Sequence, residues 1–208
     1  MARPGYLRLA LLALVAALAW WWLPGGLGVA VGGLFTLLFV FVLQFYRDPH
    51  RTPPEGLPES AVVSPADGRV VDVRRADGEL HISIFLSPFD VHVNRAPVSG
   101  RVLELVHTPG RFLPAYDARA SVENERVRLT MDVPRLGRIT CVQVAGLVAR
   151  RIENWIDVGQ TLSRGERYGM IHFGSRVDLT LPSGLSARVQ RGDRVKAGVS
   201  VLAGPDAG

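Results

Sequence analysis

Two apolar runs open the chain, and a strand-like alternation fills the rest. Tyr6 to Leu23 is apolar apart from Arg8, and Leu27 to Tyr46 is apolar apart from Thr36 and Gln44. Pro24-Gly25-Gly26 breaks the two runs as a turn would. A membrane-crossing helix needs about 20 apolar residues. The second run meets that length; the first is slightly short, and Arg8 can snorkel to the headgroups. The pattern therefore predicts a transmembrane helical hairpin over residues 1–46. Trp20, Trp21 and Trp22 sit at its turn end, where an aromatic belt would place them.

Residues 47–58 carry prolines at 49, 53, 54 and 58 and read as a linker leaving the membrane. Beyond it, short runs of Val, Ile, Leu and Phe alternate with polar residues, punctuated by Gly, Pro or Asp, as in Gly68–Val73, Leu80–Leu86, Arg126–Val133 and Arg138–Val144. No stretch there holds a 3.6-residue period over three turns. Two weak repeats stand out. Pro65-Ala-Asp-Gly-Arg-Val70 matches Pro97-Val-Ser-Gly-Arg-Val102, and Gly159-Gln-Thr-Leu-Ser-Arg-Gly165 matches Gly192-Asp-Arg-Val-Lys-Ala-Gly198. The expectation for residues 59–208 is a mainly β domain, a barrel or sandwich of short strands with carrier-like hairpins.

Composition sharpens this only in places. The net charge of +5 is spread along the 208 residues, with no basic run interleaved with aromatics, so no nucleic-acid partner is expected. Arg3 and Arg8 flank one end of the hairpin, and Arg47 and Arg51 the other. With positive charge inside, the hairpin sits in the cell membrane with the β domain on the cytoplasmic face. A cleaved secretory signal ending near Ala17-Leu-Ala19 is the rival reading, although the second apolar run would still anchor the product. Cys141, the only cysteine, lies in an apolar run and reads as a small core residue. No pair of histidines has ligand spacing on a helix, so no metal site is expected.

Three segments carry candidate chemistry: Ser64-Pro-Ala-Asp-Gly68, Phe85-Leu-Ser-Pro-Phe-Asp-Val-His-Val-Asn-Arg-Ala-Pro97 and Gly169-Met-Ile-His-Phe-Gly-Ser-Arg-Val-Asp178. Together they offer a hydroxyl, an imidazole and a carboxylate, the set a serine nucleophile needs. In an extended strand Asp90, His92 and Asn94 share a polar face. Asp67 sits in an ordinary turn sequence, and Asp90 is the alternative carboxylate partner for His92. His50, His81, His107 and His172 lack such surroundings and read as structural or surface groups. Gly174 leaves its carbonyl carbon open, so Ser175, given a base, can attack it and turn the peptide bond into an ester. β-Elimination then gives a dehydroalanine, which hydrolyses to a pyruvoyl group and ammonia. A pyruvoyl ketone forms a Schiff base with an amine and withdraws electrons, as pyridoxal phosphate does. The pyridoxal route needs a lysine, and the only one, Lys196, sits in a glycine-flanked turn.

These segments, with the apolar hairpin and Phe45-Tyr-Arg-Asp-Pro49, make the chain resemble the short-form phosphatidylserine decarboxylases of archaeal and bacterial type, proenzymes that generate their own pyruvoyl cofactor. The resemblance implies self-cleavage between Gly174 and Ser175, giving a β-chain 1–174 and an α-chain 175–208 that stay together as a heterodimer, open to higher assembly. It makes Ser175 the pyruvoyl precursor and places Asp67 and His92 at the triad acid and base. The implied activity is conversion of membrane phosphatidylserine to phosphatidylethanolamine and carbon dioxide. Longer members often carry Leu-Gly-Ser-Thr where this chain has Phe173-Gly-Ser-Arg176, and a second histidine where Arg95 stands. Arg95 is instead a candidate for the substrate carboxylate or phosphate. A non-enzymatic membrane-anchored carrier-like adaptor is the alternative. A serine hydrolase is disfavoured because no Gly-x-Ser-x-Gly elbow surrounds Ser175.

Overall fold

The computed structural model describes residues 2, 5–114, 119–147, 151–172 and 175–205. It divides into two compact units, Met1–Pro49 and His50–Gly208.

The first unit is the expected helix pair, α1 (Tyr6–Trp22) and α2 (Gly25–Phe45). α2 has 21 residues and a hydropathy of 2.4, so it is long and apolar enough to cross a membrane; α1 is shorter, at 17. Small residues bring the two together: Ala16, Ala19, Gly28 and Gly32 are the buried positions along with Leu9 and Phe45. At Gly32 an added Cβ would stand 2.7 Å from the Trp20 ring, so only glycine lets that indole lie against α2. The Arg8 guanidinium lies 5.4 Å from the Tyr46 ring centroid, a cation–π contact where the helices end.

The second unit is mainly β, as the alternation predicts. Its strands are β1 (Val62–Val63), β2 (Gly68–Ala76), β3 (Glu79–Leu86), β4 (Val93–Arg95), β5 (Gly100–Thr108), β6 (Arg126–Val133) and β7 (Gly137–Ala145). They continue with β8 (Ile152–Asn154), β9 (Thr161–Leu162), β10 (Arg167–Ile171), β11 (Ser175–Leu181), β12 (Leu185–Ala187), β13 (Arg194–Val195) and β14 (Val201–Pro205). A one-turn helix, α3 (Ala120–Glu123), precedes β6.

Eight strands form a curled, half-barrel sheet in the order β13-β2-β3-β11-β7-β6-β5-β9. Two three-stranded sheets, β4-β10-β8 and β1-β14-β12, accompany it. Strict alternation on β11, with Ser175, Val177, Leu179 and Leu181 buried, sends that face into a core that includes Ile82, Ile84, Leu129, Met131 and Ile139.

The two sequence repeats are structural duplicates that pair with each other. β2 and β5 each begin at the glycine of the first repeat; β13 and β9 lie within the second. Val70 N donates to Asp193 O at 2.9 Å, and Val70 O accepts from Gly192 N at 2.8 Å. Val102 N donates to Gln160 O at 2.8 Å, and Val102 O accepts from Gly159 N at 2.8 Å, the same reciprocal pair. Each duplicate closes one end of the large sheet.

Of the linker expected over 47–58, residues 50–58 fall in this unit; they hold no helix or strand, yet they are fastened to the rest of it. Arg51 reaches the loop at Asp67, and Pro53 lies where a Cβ on Gly165 would fall 2.8 Å away.

Candidate active site

Ser175 opens β11, the strand between β3 and β7, with Leu86 opposite on one side and Ala145 on the other. Its hydroxyl is fully buried and has no hydrogen-bond partner among the described residues. A buried hydroxyl without a partner costs about 1–3 kcal/mol. Gly174, the other half of the expected cleavage site, lies outside the described residues.

His92 is fully buried just before β4. The turn that carries it is built by Asp90, whose carboxylate accepts from Ser87 N at 2.8 Å, while His92 Nδ1 lies 2.9 Å from the Asp90 main-chain oxygen. A carbonyl oxygen only accepts, so Nδ1 carries the hydrogen, and in the neutral ring the lone pair sits on Nε2. The segment is seated by β10: Ile171 N donates to His92 O at 3.3 Å, four residues before Ser175. His92 is thus fastened to β10, whose last residue, Ile171, stands four positions before Ser175 in the chain.

The two carboxylates offered as its partners, those of Asp67 and Asp90, make their hydrogen bonds to other groups. Asp90 offers its backbone rather than its side chain. Asp67 is gripped by Arg51: Nη1 meets Oδ1 in a short contact, Nη2 donates to Oδ2 at 2.8 Å, and Ala197 N donates to Oδ1 at 2.8 Å. Arg51 Nη1 also donates to Ala197 O at 3.1 Å. Arg95 is 5% exposed, and its Nη1 donates to Gly165 O at 3.0 Å. With His50, Arg51, Glu166 and Arg167 it lines an open cavity of about 400 Å³.

Sequence reasoning missed three groups here. His172, read as structural or surface, is 3% exposed and sits 3.4 Å from Glu153 Oε1, which also accepts from Arg151 Nε at 3.0 Å. Gln143 faces the core from β7, and its Nε2 donates to Asn94 Oδ1 at 2.8 Å, a bond from the large sheet to the β4-β10-β8 sheet. Asn154, on β8, lies beside Gly169. The signal was present for Gln143: it stands at an inward position of an alternating strand, where Ile139, Cys141 and Ala145 also point. Cys141 is buried as expected, and burial, helped by the nearby Asp178 charge, pushes its thiol up to about 12 against the opposing contact with Tyr168.

Residues 38–203 match the family described as phosphatidylserine decarboxylase. Among curated relatives, a phosphatidylserine decarboxylase proenzyme of Pelobacter propionicus is 50% identical over 81% of this chain and 79% of its own length. Those of Aromatoleum aromaticum and Burkholderia mallei are 45% and 46% identical, each over 98% of this chain and 94% of the relative. On matches this long and this close, the chain belongs to the phosphatidylserine decarboxylase family and is a carboxy-lyase.

Proposed function

We propose that the chain is a proenzyme that cuts itself between Gly174 and Ser175 and then decarboxylates phosphatidylserine to phosphatidylethanolamine at the cell membrane, with the β unit on the cytoplasmic face. The observation that carries this reading is the Ser175 hydroxyl: buried, without a hydrogen-bond partner among the described residues, at the head of a central strand and directly after a glycine. Structures keep a polar group in that condition where chemistry uses it.

His92 serves as the base that takes the Ser175 proton. Its Nδ1–H is committed to Asp90 O, which aims the other nitrogen and holds the ring in the tautomer that can accept. The same nitrogen then returns a proton to the substrate carbon that loses carbon dioxide. Asp67 acts as a positioning residue through Arg51 and Ala197; direct service at the imidazole would require it to release Arg51.

The site fits a pyruvoyl group on residue 175. The position is enclosed, flanked by Leu86 and Ala145, and shares its face with Val177 and Leu179, so water is kept from a reactive ketone. That group supplies an electron-withdrawing ketone able to condense with the substrate amine. Arg95 takes an anionic part of the substrate; Arg167 lines the same cavity, as does Glu166, while Arg51 there is already paired with Asp67.

The two products of the cut remain one particle. In the short piece, 175–208, β11 lies between β3 and β7, β13 pairs with β2, and β14 pairs with β1. The Asp67–Ala197 bond crosses between the pieces as well.

A denaturing gel with intact-mass measurement tests the reading. Wild type should give two chains, the short one lighter by one ammonia than a chain beginning with serine. Ser175→Ala and His92→Ala should each remain a single chain. Native-membrane material that is unbroken yet active would end this proposal, and an unbroken inactive chain would return the adaptor reading.

A further inference from the structure

Three amide side chains, those of buried Asn94 and Gln143 and of half-buried Asn154, converge on Gly169. Asn94 and Asn154 flank it in the β4-β10-β8 sheet, paired with it from either side, and Gln143 reaches in from β7 of the large sheet. An added Cβ on Gly169 would stand 2.9 Å from Asn154 Oδ1, 3.2 Å from Gln143 Nε2 and 2.4 Å from Glu153 O. The two amides thus face each other across about one side chain's width, over a residue that contributes none.

Their hydrogen bonding is lopsided. Gln143 Nε2 is committed to Asn94 Oδ1, which turns the rest of that amide away from Asn94. Gln143 Oε1 and Asn154 Oδ1 are both enclosed, and neither accepts a hydrogen bond from any of the described residues. Asn154 Oδ1 borders Gly169 directly, and Gln143 Oε1 shares its amide with the Nε2 that does; two such neighbouring acceptors call for a donor with more than one N–H or O–H. Gln143 connects this cradle to the neighbourhood of the reactive position. Gln143 is opposite Val177 on β11, which places it diagonally from Ser175 on the same face, about 7 Å between Cβ atoms and within reach of a long side chain.

We propose that Gln143 and Asn154 are the receptor for the substrate's amino group. The inference rests on the decarboxylase reading above. Of the three charged groups in a phosphoserine headgroup, the carboxylate and the phosphodiester present only acceptor oxygens at neutral pH, and carbonyl oxygens repel them. Only the amine donates. Neutral amides also suit the reaction better than carboxylates. The amine must be unprotonated to add to a ketone, and a carboxylate partner would hold it as ammonium. An amide oxygen orients the nitrogen without fixing its charge.

The test uses the full-length Ser175→Ala chain in detergent, which cannot be cut, and reads equilibrium binding of short-chain phosphatidylethanolamine and phosphatidylcholine with identical tails. The two differ only at nitrogen, and the choline lipid has no N–H. The ethanolamine lipid should bind about tenfold or more tightly, the worth of one or two hydrogen bonds from a charged donor. Adding Gln143→Leu should bring the ethanolamine lipid down to the choline level. Equal binding in Ser175→Ala itself, as expected if a buried water alone serves the two oxygens, overturns the proposal. So does a preference that survives Gln143→Leu, since that preference would come from the bulk of the choline head. If Gln143→Leu fails to fold, Gln143→Glu decides. It should tighten the ethanolamine lipid and, in the cleavable chain, move the rising limb of the pH–rate profile to higher pH; no change in either overturns the proposal. Failure of the decarboxylase reading is seen elsewhere, in a wild-type chain that stays whole and releases no carbon dioxide.

Discussion

Arg51→Ala is expected to cost far more than its place in an irregular segment suggests. Arg51 and Asp67 side chains are each 11% exposed, and the guanidinium meets both carboxylate oxygens while also holding Ala197 O. Exposed ion pairs are worth about 0–1 kcal/mol. Removing one partner of a buried pair leaves an uncompensated charge and costs about 3–5 kcal/mol. The residual exposure argues for the low end, so Arg51→Ala should lose about 3 kcal/mol, a large share of a domain's total of about 5–15 kcal/mol. Replacing both partners by apolar residues, Arg51→Met with Asp67→Leu, removes both charges and leaves the Ala197 N–H without its acceptor. It should recover most of the loss and stop about 1–2 kcal/mol short of wild type. The assay is urea unfolding in detergent, followed by far-ultraviolet circular dichroism, in a Ser175→Ala background so that one chain unfolds. In the cleaved protein Arg51→Ala should also loosen the short piece, because Ala197 belongs to it. Two single variants that each lose less than about 1 kcal/mol, with effects that simply add in the double, would refute the clamp.

Two further outcomes follow from burial and backbone. The Cys141 thiol is raised from 9.0 to about 12, so the folded state favours its protonated form. The stability this contributes is fully present below pH 9 and is lost as pH rises from 9 toward 12, roughly 4 kcal/mol at most; urea midpoints across that range should fall, and Cys141→Ala should flatten part of the fall, with Tyr168, also raised by burial, accounting for the remainder. Gly68 has φ +148°, and an added Cβ would stand 2.1 Å from Phe85 O, so Gly68→Ala should cost at least about 2 kcal/mol by thermal melt; Gly78→Ala, at φ +81° with open space around it, should cost about 1 kcal/mol.

What the sequence made legible divides by range. The helix pair and the β unit declared themselves because both rest on local periodicity, and a run such as Ser175-Arg-Val-Asp-Leu-Thr-Leu181 alternates as it folds. The repeats were visible too, yet their meaning was not. The repeats holding Gly68 and Gly100 suggested carrier-like hairpins, whereas these glycines head two long strands that the second repeat covers from more than fifty residues away. Ser175 and His92 stood out through their neighbours in the chain. The groups that hold or complete their surroundings did not. Arg51 sits among prolines and charges that spell a tether, and only the folded loop at Asp67 gives its guanidinium a partner. His172 has no polar face in its own segment; Glu153, nineteen residues earlier, supplies its neighbour. Gln143 was one polar letter in an apolar run, and its bond to Asn94 joins two sheets that no local pattern relates. Periodicity tells which way a side chain points within its own strand, and here it pointed Gln143 inward. It cannot tell what waits on the other side, and a buried amide with an idle oxygen matters only once that other side is known.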